Sequence, residues 1–412
     1  MLRRRVARYL GELCGEPDEV HTAIQRLNGE GLVPFGYQAC LLNLTSLFGE
    51  RWPAEQVRSV AAQCARNRLW RGWQHNMRYH DAALRRIGAG NGDAGPGGNG
   101  PVLRGWDEAP LEALRADGRG VLVCGFHFGS YRFVPTDLCH LGLPLTFAVD
   151  TRTVEENRRG GNGASGLHGL KVARIDDPAG LVTLVRALRG GGAAYLNVDG
   201  NRGWGGGEAV LSHCAVRFLG MELRVMTGAA RLAAANGAAI LPVAALPDGP
   251  HPGRVACGVP ILPPPPGEDA AEHVHRTMQA LYDFFAEHVA GDPAEWQDVR
   301  FLHRWRLAGV APPVEGPPDP VAVERRLGSG AAFRLDVGRC VRLDGRAGAA
   351  LVDARTLRAF PLPPEAAELL RPLETERGLD RAAVEDLPAG ERGPTLDVLA
   401  RLQAHGLLRE SD

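Results

Sequence analysis

Residues 120 to 132 read Gly-Val-Leu-Val-Cys-Gly-Phe-His-Phe-Gly-Ser-Tyr-Arg, and this stretch decides the fold of the central part of the chain. The first six residues form a short apolar run rich in valine, which is typical of a buried strand. His127 lies two residues beyond this run, after Phe126, and Ser130 is predicted to cap a helix that runs toward Leu138. Because ligands of α/β proteins bind outside the carboxyl ends of strands, this pattern makes His127 a candidate site residue.

Further strands and helices alternate along the chain after this one. Helices are predicted over Pro178–Leu188 and Met226–Asn236. Three more apolar runs predict strands at Leu145–Val149, Ala193–Val198 and Ala239–Ala244. Such alternation predicts an α/β domain, a sheet flanked by helices, over residues 102–308.

The flanking segments have different compositions. Residues 1–88 are predicted to be helical, because apolar residues recur there at helical spacing. These residues are Val57, Val60, Ala61, Cys64, Leu69, Trp70 and Trp73. A Gly-rich loop follows at 89–101, and a Pro-rich linker is predicted at 309–330.

The last segment, residues 331–412, is predicted to be a small winged-helix-like domain. Strands are predicted over Arg339–Leu343 and Ala349–Leu362, and helices over Pro364–Leu370 and Thr395–His405.

Composition excludes several classes of function. The net charge of -1 over 412 residues provides no general basic field for nucleic acid or anionic lipid. The eight cysteines include no Cys-x-x-Cys pair, so buried reduced thiols are expected rather than a disulfide framework or a zinc site. The basic start of the chain lacks an apolar run behind it, and no run approaches the roughly 20 apolar residues that span a bilayer. We therefore expect a cytoplasmic protein without stable membrane insertion.

Four blocks of sequence occur in a characteristic order. They are His127-Phe128-Gly129; Asn197-Val198-Asp199-Gly200-Asn201-Arg202-Gly203; Arg217–Gly220 with Thr227–Ala233 and Gly237–Val243; and Pro293–Trp296 with His303-Arg304-Trp305-Arg306. With these blocks, residues 20–307 resemble the lysophospholipid acyltransferase superfamily, and most closely its lipid A acyltransferase branch. That family carries a His-x4-Asp/Glu motif after the first core strand.

The resemblance implies a fold, a reaction and a set of site residues. It implies an acyltransferase-type mixed sheet in which His127 deprotonates an acceptor that attacks a thioester carbonyl. Acyl-CoA or an acyl carrier protein would be the co-substrate, with no permanently bound cofactor and no metal. Asp199 and Arg132 join His127 as predicted catalytic residues. The predicted substrate-binding residues are Ser130, Gly200, Asn201, Arg202, Arg217 and Thr227.

The chain departs from the family motif at the acid, because Arg132 stands where the family has Asp or Glu. A guanidinium at this place is predicted to lower the pKa of His127 and to keep it neutral. Three interpretations remain open. Asp137 or Asp199 replaces the acid, or Arg132 binds a negative group on an unusual substrate, or the site is a degenerate, non-catalytic pocket.

Plainer interpretations accompany each motif. A lone histidine at a strand end is more often structural, and Asp199-Gly200 alone would be read as a turn. The motif His303-Arg304-Trp305-Arg306 fits a solvated basic helix end as well as a functional role.

The C-terminal residues carry a second resemblance. The matching pieces are Arg342-Leu343-Asp344, Ala349–Asp353, Leu357–Leu362, Ala366–Leu370, and the closing Leu399, Leu402 and Gly406-Leu407-Leu408. With these, residues 331–412 resemble the peptide-binding module of the pyrroloquinoline quinone pathway, a PqqD-like precursor-peptide recognition element. In that family a leader peptide adds a strand to the sheet edge. A DNA-binding winged helix is the competing interpretation, but 12 Arg against 14 Asp and Glu make the module slightly acidic. The third interpretation is a domain that only packs on the rest of the protein or mediates dimerisation.

Together these features predict an enzyme that acylates an amine or hydroxyl of a ribosomally synthesised precursor peptide. Its partners would be the leader peptide and an acyl carrier protein, with no nucleic acid. A lipid acyltransferase and a non-catalytic peptide-binding protein are the rival hypotheses.

Overall fold

The computed structural model describes residues 35–65, 67, 71, 101–151, 171–200, 213–248, 251–306, 317–345, 348–362, 370–375 and 377–411. The described residues fall into two compact units. One comprises those from 63 to 298, and the other comprises those up to 62 together with those from 299 onward. The predicted Gly-rich loop at 89–101 lies almost entirely outside the described residues.

The unit from 63 to 298 is built on a six-stranded sheet with the strand order β3-β2-β4-β1-β7-β8. All neighbouring strands are parallel except β7 and β8, which are antiparallel, so the predicted mixed sheet is confirmed. The strands are β1 (Val121–Gly125), β2 (Leu145–Val149), β3 (Lys171–Arg174), β4 (Ala193–Asn197), β7 (Ala239–Asp248) and β8 (His251–Cys257). The sequence predicted β1, β2, β4 and β7, whose apolar runs are buried.

Helices flank this sheet. Helices Ala109–Ala116 and Val134–His140 bury Leu111, Leu114 and Leu138 in a cluster with alternate residues of the strands. Helices Pro178–Arg189 and Gly228–Ala235, both predicted, also contact the sheet. A hairpin of β5 (His213–Phe218) and β6 (Met221–Met226) and the long helix Ala270–Gly291 complete the unit.

The second unit combines helices with two small sheets. Strands β10 (Cys340–Gly345), β11 (Gly348–Asp353) and β12 (Ala359–Leu362) form an antiparallel sheet, and β9 (Ala332–Leu335) pairs with β13 (Leu408–Ser411). The helices are Phe35–Phe48, Pro320–Gly328, Arg381–Glu385 and Ala389–Ala404, and residues 54–62 are also helical. Ala39 and Leu42, on one face of the first helix, pack on Val341 and Leu343 of β10.

Several predicted elements in this unit need correction. The predicted strand Ala349–Leu362 is two strands, because Asp353 accepts hydrogen bonds from the Arg355 amide and the Thr356 hydroxyl and so closes a turn. Helix Pro320–Gly328 occupies part of the predicted linker. The helix predicted at Thr395–His405 begins earlier, at Ala389. The helix predicted at Pro364–Leu370 lies outside the described residues except for Leu370.

Two predictions about the whole chain can be compared with these ranges. The described cysteines are all free thiols, and Cys40, Cys64, Cys124 and Cys340 are buried. No helix in the described ranges has the length and apolar character needed to cross a membrane.

Candidate active site

His127 lies two residues beyond the carboxyl end of β1. Its loop is held by the segment that follows helix Ala270–Gly291. The backbone N–H of Gln297 donates to the His127 backbone carbonyl at 2.8 Å, and the backbone N–H of Gly129 donates to the Glu295 backbone carbonyl at 3.0 Å. Gly129 has a φ of +55°, and a Cβ there would collide with the Ala245 carbonyl oxygen. The glycine of the His-Phe-Gly block therefore allows the loop to press against β7.

Asp199 is the first partner of His127. β1 and β4 are parallel, with Gly125 opposite Asn197, so the residues two positions beyond each strand end come together. Nδ1 of His127 lies 2.8 Å from Oδ1 of Asp199, and the His127 backbone N–H lies 3.1 Å from both carboxylate oxygens. Trp296 donates its indole N–H to Oδ2 at 3.0 Å. The carboxylate thus fixes the imidazole orientation and leaves Nε2 as the outward nitrogen.

Asp298 is a second carboxylate at the same nitrogen, and sequence reasoning missed it. Its Oδ2 lies 3.2 Å from Nδ1 of His127, and its side chain is only 12% exposed. The only signal for it was its position two residues after the Pro293–Trp296 block, which also supplies Trp296 to Asp199.

A buried ion pair supports this segment from behind. Arg71 donates to both carboxylate oxygens of Glu295, at 2.8 and 3.0 Å, and Asn67 donates to the same carboxylate. Both charged side chains are almost fully buried, so loss of either partner would leave an uncompensated charge. The Pro293–Trp296 block therefore has a structural role in addition to its contacts with the site.

The charge of His127 is set by its carboxylates. Burial lowers the pKa of His127, but Asp298 and Asp199 outweigh this effect and raise it from the ordinary 6.5 to about 10. The prediction that Arg132 keeps His127 neutral is therefore wrong. The raised pKa favours the imidazole cation at neutral pH, with both carboxylates at Nδ1.

Arg132 lies at the exposed end of the site. Its Nε donates to the Tyr131 hydroxyl at 3.2 Å, and the Tyr131 ring meets the His127 ring edge-on at 4.7 Å between centroids. Tyr131 and, to a smaller extent, Asp298 raise the pKa of Arg132. Arg132 as a whole residue is exposed, while its guanidinium lies against the Tyr131 side chain.

Asp137, the other candidate for the missing acid, has a different role. It is fully buried and accepts hydrogen bonds from the Val102 and Leu103 amides at 2.8 and 2.7 Å and from the Trp106 indole. Asp137 therefore anchors the chain before β1, and the interpretation of Asp137 as a replacement acid is wrong.

The remaining predicted site residues are spread over the unit. A Cβ on Gly200 would lie 3.3 Å from Cε1 of His127, so Gly200 borders the imidazole. Ser130 is buried, but its side chain makes no capping bond, because a 3-10 turn (Tyr131–Phe133) precedes the helix, which starts at Val134. Arg217 is exposed on β5, and Thr227 is buried before helix Gly228–Ala235. Asn201 and Arg202 lie outside the described residues.

The second histidine motif is not a solvated helix end. His303 is fully buried, and its Nδ1 lies 3.1 Å from Nδ2 of Asn43. Trp305 is also buried.

A metal ion is the other ligand that the site residues could hold. Within the described ranges, His127, Asp199 and Asp298 offer ligand atoms that lie within 4.8 Å of one another. Asp199, however, is already fixed by the indole and by the backbone of His127, and 2.8 Å between Nδ1 and Oδ1 is a hydrogen-bond distance. We therefore assign these contacts as hydrogen bonds, and the absence of a metal remains a prediction.

The fold and the His–Asp pair together indicate which class of protein this unit belongs to. The unit is an α/β protein with a His–Asp pair at the carboxyl ends of adjacent parallel strands. Residues 105–307 match the family model described as bacterial lipid A biosynthesis acyltransferase. The match supports the predicted lipid A and lysophospholipid acyltransferase superfamily, and with it an acyltransferase. A comparison with curated proteins finds no match. The matched residues end at 307 and do not bear on the predicted peptide-binding module.

Proposed function

We propose that this protein transfers an acyl group from a thioester to a nucleophilic acceptor, with His127 as the general base. The contact that carries this proposal is the 2.8 Å hydrogen bond between Nδ1 of His127 and Asp199. A carboxylate at Nδ1 places the lone pair of the neutral imidazole on Nε2, where it can take a proton from the acceptor. Asp199 then stabilises the imidazolium that forms, and Asp199 replaces the acid of the family motif.

The second carboxylate gives this base an unusual pH dependence. Nε2 can accept a proton only after the imidazole has lost one, and the pKa of His127 is raised to about 10. The rate should therefore increase as the pH rises from neutral toward this value, and an optimum at or below pH 7 would contradict the assignment.

The donor is the next part of the proposal. Acyl-CoA and acyl carrier protein both carry a phosphate at the end of the pantetheine arm opposite the thioester. Arg132, an exposed residue five positions after His127, carries a guanidinium suited to an anionic group of the donor or the acceptor. In this proposal Arg132 binds an anionic group of the substrate and does not orient His127. This is the second of the three interpretations of the sequence.

For the acceptor, we propose a precursor peptide held by a winged-helix-like module at residues 331–412. Two observations support it. Strands β10 and β12 are the two edges of a three-stranded sheet, the kind of surface to which an extended peptide adds a strand. β10 also lines a cavity of about 250 Å³ through Val341, Arg342 and Asp344. Tethering a leader peptide would raise the effective concentration of the acceptor.

A lipid acceptor is the alternative, and the family match favours it. The two acceptors can be distinguished with the full-length protein and palmitoyl-CoA. One reaction contains any short precursor peptide found to be encoded beside the gene, and the other contains phosphatidylglycerol vesicles with lysophosphatidylglycerol. A mass increase of the peptide supports the peptide proposal, whereas acylation of only the lysolipid supports the lipid alternative.

The base assignment is tested by thiol release from acetyl-, octanoyl- and palmitoyl-CoA in the presence of the peptide or of lysophosphatidylglycerol as the acceptor. His127→Ala should reduce the rate by roughly 10²- to 10⁴-fold, the usual contribution of a general base. His275→Ala is the matched control, because His275 is exposed on helix Ala270–Gly291. Equal rates for His127→Ala and the wild type, or no thiol release by the wild type from any thioester, would refute the proposal.

A further inference from the structure

Asn197 is the last residue of β4 and lies opposite Gly125 of β1. Its Nδ2 is 3.5 Å from Nε2 of His127, the imidazole nitrogen that Asp199 does not hold. This distance is longer than the usual 2.7–3.2 Å of an N–H hydrogen bond. The amide therefore lies beside the reactive nitrogen without occupying its lone pair.

The orientation of the Asn197 side-chain amide is fixed by a hydrogen bond from Tyr195. The Tyr195 hydroxyl donates to Oδ1 of Asn197 at 2.7 Å, and the Tyr195 side chain is fully buried. Burial raises the pKa of Tyr195 well above its ordinary value, so the hydroxyl keeps its proton. A Cβ at Gly125 would collide with the Tyr195 hydroxyl and approach Oδ1 of Asn197 to 2.9 Å. The tyrosine, the asparagine and the glycine thus form one arrangement that aims Nδ2 toward the imidazole.

We propose that Asn197 is a catalytic residue whose Nδ2–H stabilises the oxyanion of the tetrahedral intermediate, which rests on the acyl transfer proposed above. The acceptor forms a bond to the thioester carbon as His127 takes its proton. The carbonyl electron pair moves to oxygen, and this oxyanion receives a hydrogen bond from Asn197. When the carbonyl reforms, the C–S bond breaks, and the thiolate takes the proton from His127 and leaves as the thiol.

The geometry allows one intermediate to reach both groups. The acceptor atom must lie within hydrogen-bond distance of Nε2, and the oxyanion is bonded to the carbon that this atom attacks. Effective oxyanion donors lie 2.7–3.1 Å from that oxygen. A donor 3.5 Å from Nε2 can meet this requirement while the acceptor contacts the imidazole. Because the donor is neutral, it should act on the transition state without changing the charge of His127.

The test is the thiol-release assay on full-length Asn197→Ala, across a range of pH. We expect kcat to fall by roughly 10²- to 10³-fold, the usual loss for one oxyanion donor, with KM little changed. The pH at which the rate rises should be unchanged, because no charge is removed. Asn236→Ala is the matched control, since Asn236 lies at the end of helix Gly228–Ala235 and bonds to Leu232 and Arg189.

Tyr195→Phe is the second variant, in case Asn197→Ala does not fold. It keeps the buried ring but frees the amide to rotate, and we expect kcat to fall by several-fold. An Asn197→Ala rate equal to that of Asn236→Ala would overturn the inference, as would a raised KM with a shifted pH profile. An unchanged Tyr195→Phe rate would also overturn it. If His127→Ala is inactive while these variants are active, only this inference fails, whereas an active His127→Ala refutes the acyl transfer itself.

Discussion

Asp199 and Asp137 are both buried carboxylates, and each accepts backbone N–H groups and an indole N–H. Asp137 binds the amides of Val102 and Leu103 and the indole of Trp106. Asp199 binds the amide of His127 and the indole of Trp296, and in addition the imidazole of His127. Burial and the number of hydrogen bonds are thus similar at the two sites. What distinguishes Asp199, the carboxylate that we propose acts in catalysis, is a titratable partner that reaches the surface: the His127 side chain is 21% exposed.

The largest expected effect comes from changing each carboxylate to its amide. Asp199→Asn removes the acceptor that selects the imidazole tautomer, and the thiol-release rate should fall by roughly 10⁴-fold. Asp137→Asn should leave the rate within about twofold. It should lower the free energy of unfolding by roughly 1–3 kcal/mol, because a buried amide loses its acceptor. The thiol-release assay measures the rate, and urea denaturation measures the free energy of unfolding. A large rate loss in Asp137→Asn together with a normal rate in Asp199→Asn would contradict the roles assigned to the two carboxylates.

The second effect concerns Asp298. Like Asp199, Asp298 places a negative charge at Nδ1 of His127, but Asp199 makes the shorter hydrogen bond that selects the imidazole tautomer. Asp298→Asn removes one of the two carboxylates that raise the pKa of His127, and this pKa should fall. The rise in kcat/KM with pH then moves to lower pH, so the rate at pH 7 should increase by up to about tenfold.

The control for this prediction is Asp283→Asn, at an exposed position of helix Ala270–Gly291. It should leave the pH profile in place. A decrease in the Asp298→Asn rate at pH 7 would show that Asp298 has a role other than raising the pKa of His127.

A smaller effect is expected from the space around the imidazole. Gly200→Ala would place a methyl group 3.3 Å from Cε1 of His127 and 3.3 Å from the Asn197 carbonyl. A displacement of a few tenths of an ångström should reduce kcat by roughly tenfold or less, since reacting groups tolerate little misplacement. Gly228→Ala, where a Cβ meets open space, is the matched control and should leave kcat unchanged. Equal kcat values for the two variants would mean that Gly200 has no influence on His127.

The sequence predicted the centre of the sheet better than its periphery. The four strands found by their apolar runs are all internal and buried. β3 escaped prediction because it is an edge strand with an exposed Lys171 and little apolar pattern. β9 and β13 were missed because each is short and pairs with a strand far away in the chain. The pattern of apolar residues in a sequence indicates which residues are buried. These strands form instead because they pair with a neighbouring strand, which that pattern does not show.

The site shows the same division. His127 follows from the strand before it, and Asp199 was one of two candidates for the acid. The choice between Asp199 and Asp137 depends on the register of β1 with β4, which a single sequence does not contain. Asp298 depends on how the segment after helix Ala270–Gly291 returns to the loop of His127. No local pattern encodes that return.

The most direct test of the account is a titration of the His127 side chain by 15N NMR in the wild type and in Asp199→Asn. We predict that Nδ1 of His127 holds a proton and that the imidazole titrates with a midpoint near 10 in the wild type. The midpoint should move toward 6.5 in the variant, because one of the two carboxylates is lost. A wild-type midpoint near 6.5 that does not respond to Asp199→Asn would contradict it.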